Sequence, residues 1–250
     1  ITESGMEISM GRMIYNMLRI RKKDIALICT LQALAGAGSV IILFIVENIV
    51  KDNSSIFMLG TAFSLMVMVF VSFFMGCTTF RQTYNLSITM GCTRKEFFIS
   101  YYITTFIGIL IQAVMVYIYY WLESLEIKFF YSEIMFEKGP EVILFSPYML
   151  LLIIFISALT MIMGTSVLRF GKKVYIVFWV LWMALCIMPS KVEDAFEVGI
   201  DNAPIVIRTC INTIIPVINL PLAAHIVLVL MISAVMFMIS ALLIRRQQVV

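Results

Sequence analysis

Charge is scarce in this chain. Of its 250 residues 13% are charged and 62% are hydrophobic, whereas a soluble domain carries about 25% charge. Histidine occurs once, as His225. A Ser-His-Asp arrangement would have to use it, and no partner is placed beside it. Neither H-E-x-x-H nor G-x-S-x-G occurs. A phosphate-binding loop needs G-x-x-x-x-G-K-[ST]; the nearest echo runs from Gly164 to Gly171, Lys172 and Lys173, with too long a spacing and no hydroxyl after the lysine. No enzyme activity and no bound cofactor are therefore expected of this chain itself. The five cysteines are scattered. Cys29, Cys77 and Cys186 fall in or at apolar blocks, and Cys92 and Cys210 fall on opposite predicted sides. That spacing excludes an internal extracellular disulfide and offers no metal site.

What is abundant is apolar sequence in long blocks, with a mean hydropathy of +1.03. About 20 residues cross some 30 Å of hydrocarbon as a helix, and six such blocks are present, at 25–46, 56–80, 101–122, 147–168, 174–188 and 222–244. They are continuously apolar, not alternating as barrel strands would be. Helices satisfy their own backbone hydrogen bonds in lipid. The expected fold is thus all-α, a single polytopic membrane domain over 1–250 with six transmembrane helices.

The charges between blocks sort into two sets. Arg12, Arg19, Arg21, Lys22, Lys23, Arg81, Arg94, Lys95, Arg169, Lys172, Lys173, Arg245 and Arg246 fall in the two ends of the chain and in alternate connections. Only Glu3, Glu7, Asp24 and Glu96 accompany them, and the other connections are acidic. Positive charge marks the cytoplasmic side. The alternation predicts a multi-pass protein of the cell membrane with both termini cytoplasmic. The net charge of +3 reports topology, so nucleic acid is not an expected partner. The first apolar block is too long for a leader's h-region and has no small-residue cleavage site after it, so a cleaved leader is not expected.

Inside the blocks ionisable groups are nearly absent, with Glu47, Glu123 and His225 at predicted outer ends. That argues against a proton-coupled pump or a carrier of charged substrates. Neutral polar residues such as Gln32, Ser64, Ser72, Thr104, Thr105, Gln112 and Thr160 are expected to bond to neighbouring helices. The small residues of "ALAGAGS", 33–39, are expected to let helices approach closely. Before the first block, within 1–24, Met10, Met13, Ile14, Met17 and Leu18 share one helical face, which predicts a helix lying in the membrane interface against lipid head groups. The connection at 123–146 reads as a solvated acidic loop. The connection at 189–221 starts polar and turns apolar between Pro204, Pro216 and Pro221, which predicts short re-entrant helices in the outer leaflet.

One cytoplasmic stretch, at 81–100, is more structured than a tether needs to be. "RQTYNLSITM" carries Tyr84 and Ile88 at helical spacing after Phe80. Gly91 follows, where a helix stops. Thr93 with Glu96 three residues on forms a capping box, flanked by Cys92 and Phe97 at staple positions. The reading is helix, glycine corner, new helix. From Thr93 to Leu122 the new helix would be about 45 Å long, exceeding the hydrocarbon core. It would act as a rigid lever from a cytoplasmic docking knob to a transmembrane helix.

With "NLSITMGCTRKEFF" at its centre, the chain resembles the permease subunits of ABC transporters, in particular the ABC-2-type exporters of bacteria. The layout of six spans, amphipathic N-terminal helix and re-entrant segment before the last span is similar throughout. The resemblance implies that Tyr84, Asn85, Ile88, Met90 and Gly91 belong to a coupling helix that docks on a separate ATPase subunit. Thr93, Arg94 and Lys95 would flank it, and Arg169, Gly171 and Lys172 would line a second, shorter contact. It further implies a second permease half, identical or related, with ATP and Mg held by the partner ATPase. The implied substrate is amphiphilic or hydrophobic, an antimicrobial peptide, toxin or drug-like molecule. Alternatives of other classes are a membrane scaffold or sensor without transport of its own and, less favoured, a secondary transporter.

Overall fold

The computed structural model describes residues 3–50, 58–130, 144–171, 173–183 and 220–245, together with 208, 209, 211, 213, 216 and 217. Among them there is helix and no strand. The helices are α1 (Glu3–Val50), α2 (Leu59–Thr89), α3 (Arg94–Phe130), α4 (Tyr148–Phe170), α5 (Lys173–Met183) and α6 (Leu222–Arg245). Three are long and apolar enough to cross a membrane: α3 over Arg94–Leu125, α4 and α6. The bent α2 makes a fourth if its two halves count as one span. The predicted third, fourth and sixth spans thus lie on helices that meet this test. The predicted first span lies within α1. The fifth, at 174–188, begins with α5 and continues past the described residues. The re-entrant segment falls largely outside them.

The N-terminal region departs from the expectation of a separate interfacial helix. Glu3–Val50 is one helix of 48 residues, about 72 Å at 1.5 Å per residue. Between 20 and 30 there is no glycine or proline to stop it. Part of its apolar face is covered by protein: Met17 is buried, and the half-buried Met13 packs beside it, in a cluster with Phe80, Tyr84, Phe97, Phe98, Tyr101, Met161 and Ile244. The extensions of α2 and α3 supply a protein surface where bilayer was expected.

Each of the first three helices buries one stripe at helical spacing. On α1 it is Met17, Arg21, Ile28, Gln32, Gly36 and Ser39; on α2, Ser64, Met68, Ser72, Gly76, Phe80 and Tyr84. On α3 it is Phe97, Tyr101, Thr104, Gly108, Gln112, Val116 and Glu123. These stripes meet, α1 lying against α2 and α3, while α4 packs on α2, α3 and α6. Of the two glycines in the run at 33–39, Gly36 permits a close approach as expected, and an added Cβ at Gly38 has nothing within 4 Å. A Cβ at Gly36 would run into the Tyr119 ring, and the Tyr119 hydroxyl donates to Ala33 O at 3.0 Å. A Cβ at Gly76 would run into Thr160, and Gly76 lies where α2 bends by 46° between Leu59–Phe74 and Thr78–Thr89. Beyond that contact, Phe73 and Phe70 meet Trp182 of α5.

Several of the neutral polar groups bond between helices, as their type predicts, whereas Ser157 donates to Ile154 O within its own helix and Ser233 Oγ is buried without a partner. Gln32 Nε2 donates to Ser64 Oγ at 2.9 Å and Gln112 O at 3.0 Å. Ser72 Oγ donates to Gln112 Oε1 at 3.1 Å. His225 is partnered too, by the Tyr148 hydroxyl at 3.2 Å and Val217 O at 2.7 Å.

Glu123 corrects the predicted loop boundary. It is 1% exposed, α3 continues past it, and its carboxylate accepts from Thr61 N at 2.8 Å, from Gly60 N and from the Thr61 hydroxyl. The first amides of a helix have no partner of their own, and Met58 at the N-cap of α2 supplies none. A carboxylate from α3 satisfies them, with favourable charge at the positive end of the helix dipole. Replacing Glu123 with alanine strands these donors. It is expected to cost about 1–3 kcal/mol, seen as a lower midpoint of thermal unfolding in detergent, with Gln32→Leu costing less.

Candidate partner-docking site

The corner between α2 and α3 is closed by backbone geometry. Gly91 has φ +84°, a left-handed value that costs other L-residues about 1–2 kcal/mol. Gly91 N donates to Ile88 O at 3.0 Å, and Cys92 N donates to Ser87 O at 3.1 Å. These are the two bonds of a Schellman closure, with glycine at the left-handed position. Two residues later α3 begins on the predicted capping box. Glu96 Oε2 accepts from Thr93 N at 3.0 Å and Thr93 Oγ1 at 2.8 Å, while Glu96 N donates back to Thr93 Oγ1 at 3.3 Å. The Cys92 thiol between them is pushed above its ordinary pKa, first by burial and then by the Glu96 carboxylate.

The corner is anchored by rings. Phe97 enters an aromatic cluster, with centroids 5.4 Å from Phe80, 5.1 Å from Tyr84 and 5.5 Å from Tyr101. The end of α2 and the start of α3 are thereby locked together. The same cluster receives Met17 of α1, Leu168 near the end of α4 and Ile244 near the end of α6. The helix ends that carry Arg12, Arg94, Arg169 and Arg245 therefore share one end of the bundle. The opposite end holds the Glu123 contact and the Tyr148–His225 pair.

The predicted docking residues separate into two groups. Tyr84 is 2% exposed and the half-buried Ile88 packs against the same cluster, so these two help to hold the element in place. Asn85, Met90, Gly91, Thr93 and Lys95 are exposed. Arg94 is half-buried, and its Nη1 donates to Arg245 O at 3.2 Å, where a cation suits the negative end of α6. In the predicted second contact Arg169 is exposed, its guanidinium 5.7 Å from the Phe170 ring centroid. Gly171 ends α4 with φ +74° and an N–H bond to Val167 O at 2.9 Å. Lys172 lies outside the described residues.

Sequence reasoning missed the cleft beside the corner. It measures about 590 Å³ and lies between α1 and the Gly91 turn, lined among others by Arg12, Met13, Asn16, Met90, Thr93 and Glu96. It also missed the burial of Arg21, counted only among the basic residues of the N-terminal segment and found 7% exposed. The signal was available, since Arg21 continues the stripe of Met17 and Ile28 at helical spacing. Among the described residues no cluster of His, Cys, Asp and Glu could hold a metal ion. Compared with family models, curated proteins and solved structures, the chain has no match.

Thr93→Ala or Glu96→Ala removes half of the capping box. Each is expected to cost about 1 kcal/mol and to speed hydrogen exchange at the first amides of α3, leaving those of α4 unchanged.

Proposed function

We propose that this chain is the membrane-spanning permease subunit of an ATP-driven exporter of the kind the ABC-2-type sequence resemblance implies. In this reading it crosses the cell membrane six times with both termini cytoplasmic, and the Gly91 end of the bundle faces the cytoplasm. A separate ATPase, carrying ATP and Mg, grips that end, and a second permease half completes the path. The observation that carries the proposal is the corner itself. A glycine-closed turn, a capping box and a buried ring cluster make one stiff piece of the end of α2 and the start of α3. Its outer face, Asn85, Met90, Thr93 and Lys95, is left for a partner.

The mechanism follows from that stiffness. ATP-driven closure of the ATPase pair moves the docked corner, and α3, 37 residues long, carries the displacement to the far side as a lever of about 55 Å. The two states differ in what the corner touches, which a ligand-driven shift requires. The substrate in this reading is amphiphilic or hydrophobic, because the spans offer little charge. Membrane lipid surrounds the exposed apolar faces of α5 and α6.

One observation favours a second reading, a membrane scaffold or sensor that docks the ATPase without transport. The polar groups of the first three helices are bonded to one another, as Gln32, Ser64, Ser72 and Gln112 are. An exporter must then form its path between two permease halves. Uptake of an amphiphilic peptide into vesicles containing the chain and its ATPase separates the two readings.

An added Cβ at Gly91 has nothing within 4 Å, but φ +84° strains any L-side chain, so Gly91→Trp is expected to cost about 1–2 kcal/mol at the corner while the ring cluster still holds the bundle. The variant is expected to reduce stimulation of the ATPase by the permease about 5–150-fold, measured as phosphate release from the co-purified complex; undiminished stimulation would count against the lever. The topology has its own check. A membrane-impermeant maleimide added outside intact cells is expected to label Cys210 and to spare Cys92.

A further inference from the structure

Arg21 presents an electrostatic problem that the docking function leaves untouched. Its side chain is buried between helices, where an ion is costly unless paired. Its Nη1 donates to Thr105 Oγ1 at 2.7 Å and Thr104 Oγ1 at 3.2 Å, and its Cζ lies 4.4 Å from the centroid of the Tyr101 ring. None of these groups carries a negative charge. Its Nε–H is buried with no partner at all, and among the described residues no carboxylate pairs with it.

Beside it is a small pocket where α1, α2, α3 and α4 converge. It measures about 20 Å³ and is lined by Arg21, Ser72, Thr105, Gln112 and Thr160 among others. That volume holds one particle close to the size of a water molecule, too little for a phosphate or a lipid head group. The protons of several lining groups are already committed. Ser72 donates to Gln112 Oε1, Gln112 Nε2 to Gly108 O at 3.3 Å, and Thr160 to Ile156 O at 2.8 Å. Thr105 accepts from Arg21, so its own O–H remains to donate. The pocket therefore combines a full positive charge with uncommitted donors, among them Arg21 Nε–H, Thr105 O–H and the second N–H of Gln112 Nε2.

We propose that this pocket is a binding site for a single halide ion, chloride in the cell. A water would satisfy the donors and leave the buried cation uncompensated. A monatomic anion does both, at the cost of the slight expansion its larger radius needs. Bound there, it would neutralise α1 at the level where the helix enters the membrane and tie it to α3.

The test is thermal unfolding of the full chain in detergent, titrating chloride against gluconate at constant ionic strength. Wild-type protein is expected to gain about 2–4 °C in midpoint with saturation, and bromide is expected to act like chloride. Arg21→Gln and Thr105→Val are each expected to remove the dependence. If Arg21→Gln does not fold, Thr105→Val, which keeps the charge, decides. A wild-type midpoint indifferent to halide means a site filled by water only and overturns the proposal. An equal halide response in the variants overturns it too, placing the effect on the general surface.

Discussion

The bundle depends on the ring cluster of Phe80, Tyr84, Phe97 and Tyr101. It joins the last turns of α2 to the first turns of α3, and α1, α4 and α6 pack against it. Buried aromatic pairs contribute about 0.5–1.5 kcal/mol each beyond the area they remove from solvent, and four rings in mutual contact give several such pairs. Within a membrane, apolar faces gain little by meeting each other, and helix association relies on packing and on polar bonds. The cluster supplies the packing at one end of the bundle, and the Gln32, Ser64 and Gln112 bonds supply the polar part at mid-depth. Glu123 closes the other end.

This arrangement accounts for the stiffness of the Gly91 corner. The turn is closed by its own backbone, its following helix is capped by its own side chains, and both flanks are pinned by rings. The long extension of α1 stands beside the same corner and forms the other wall of the cleft, so a partner that fills the cleft would touch α1 and the start of α3 at once.

Several of these features could be read in the chain before any coordinates. The helical class follows from apolar blocks that never alternate, and the glycine corner from Gly91 between two helical patterns. The capping box follows from Thr93 and Glu96 at their spacing. These are local features, set by residues a few positions apart. Errors arose where a residue's partner lay far along the chain. Tyr84 was assigned to docking by the resemblance, yet Phe97 covers it. Arg21 was counted only among the basic residues of the N-terminal segment, yet its own face meets Thr104 and Thr105. Glu123 looked like the start of a loop because acids follow it, yet the amides of Gly60 and Thr61 lie opposite. Met13 and Met17 looked like a lipid-facing stripe because amphipathic faces read the same whether lipid or protein covers them.

By itself the sequence determined the helical class and the place where α2 stops and α3 starts. Each follows from composition or from the backbone preferences of neighbouring residues. Only the tertiary structure decided which face of each helix turns inward and which charges are buried. It also decided which polar atoms share bonds, and that the cleft lies against α1. Those outcomes depend on contacts between segments separated by tens of residues, and the free energy of a buried charge or ring is set by the partner it meets.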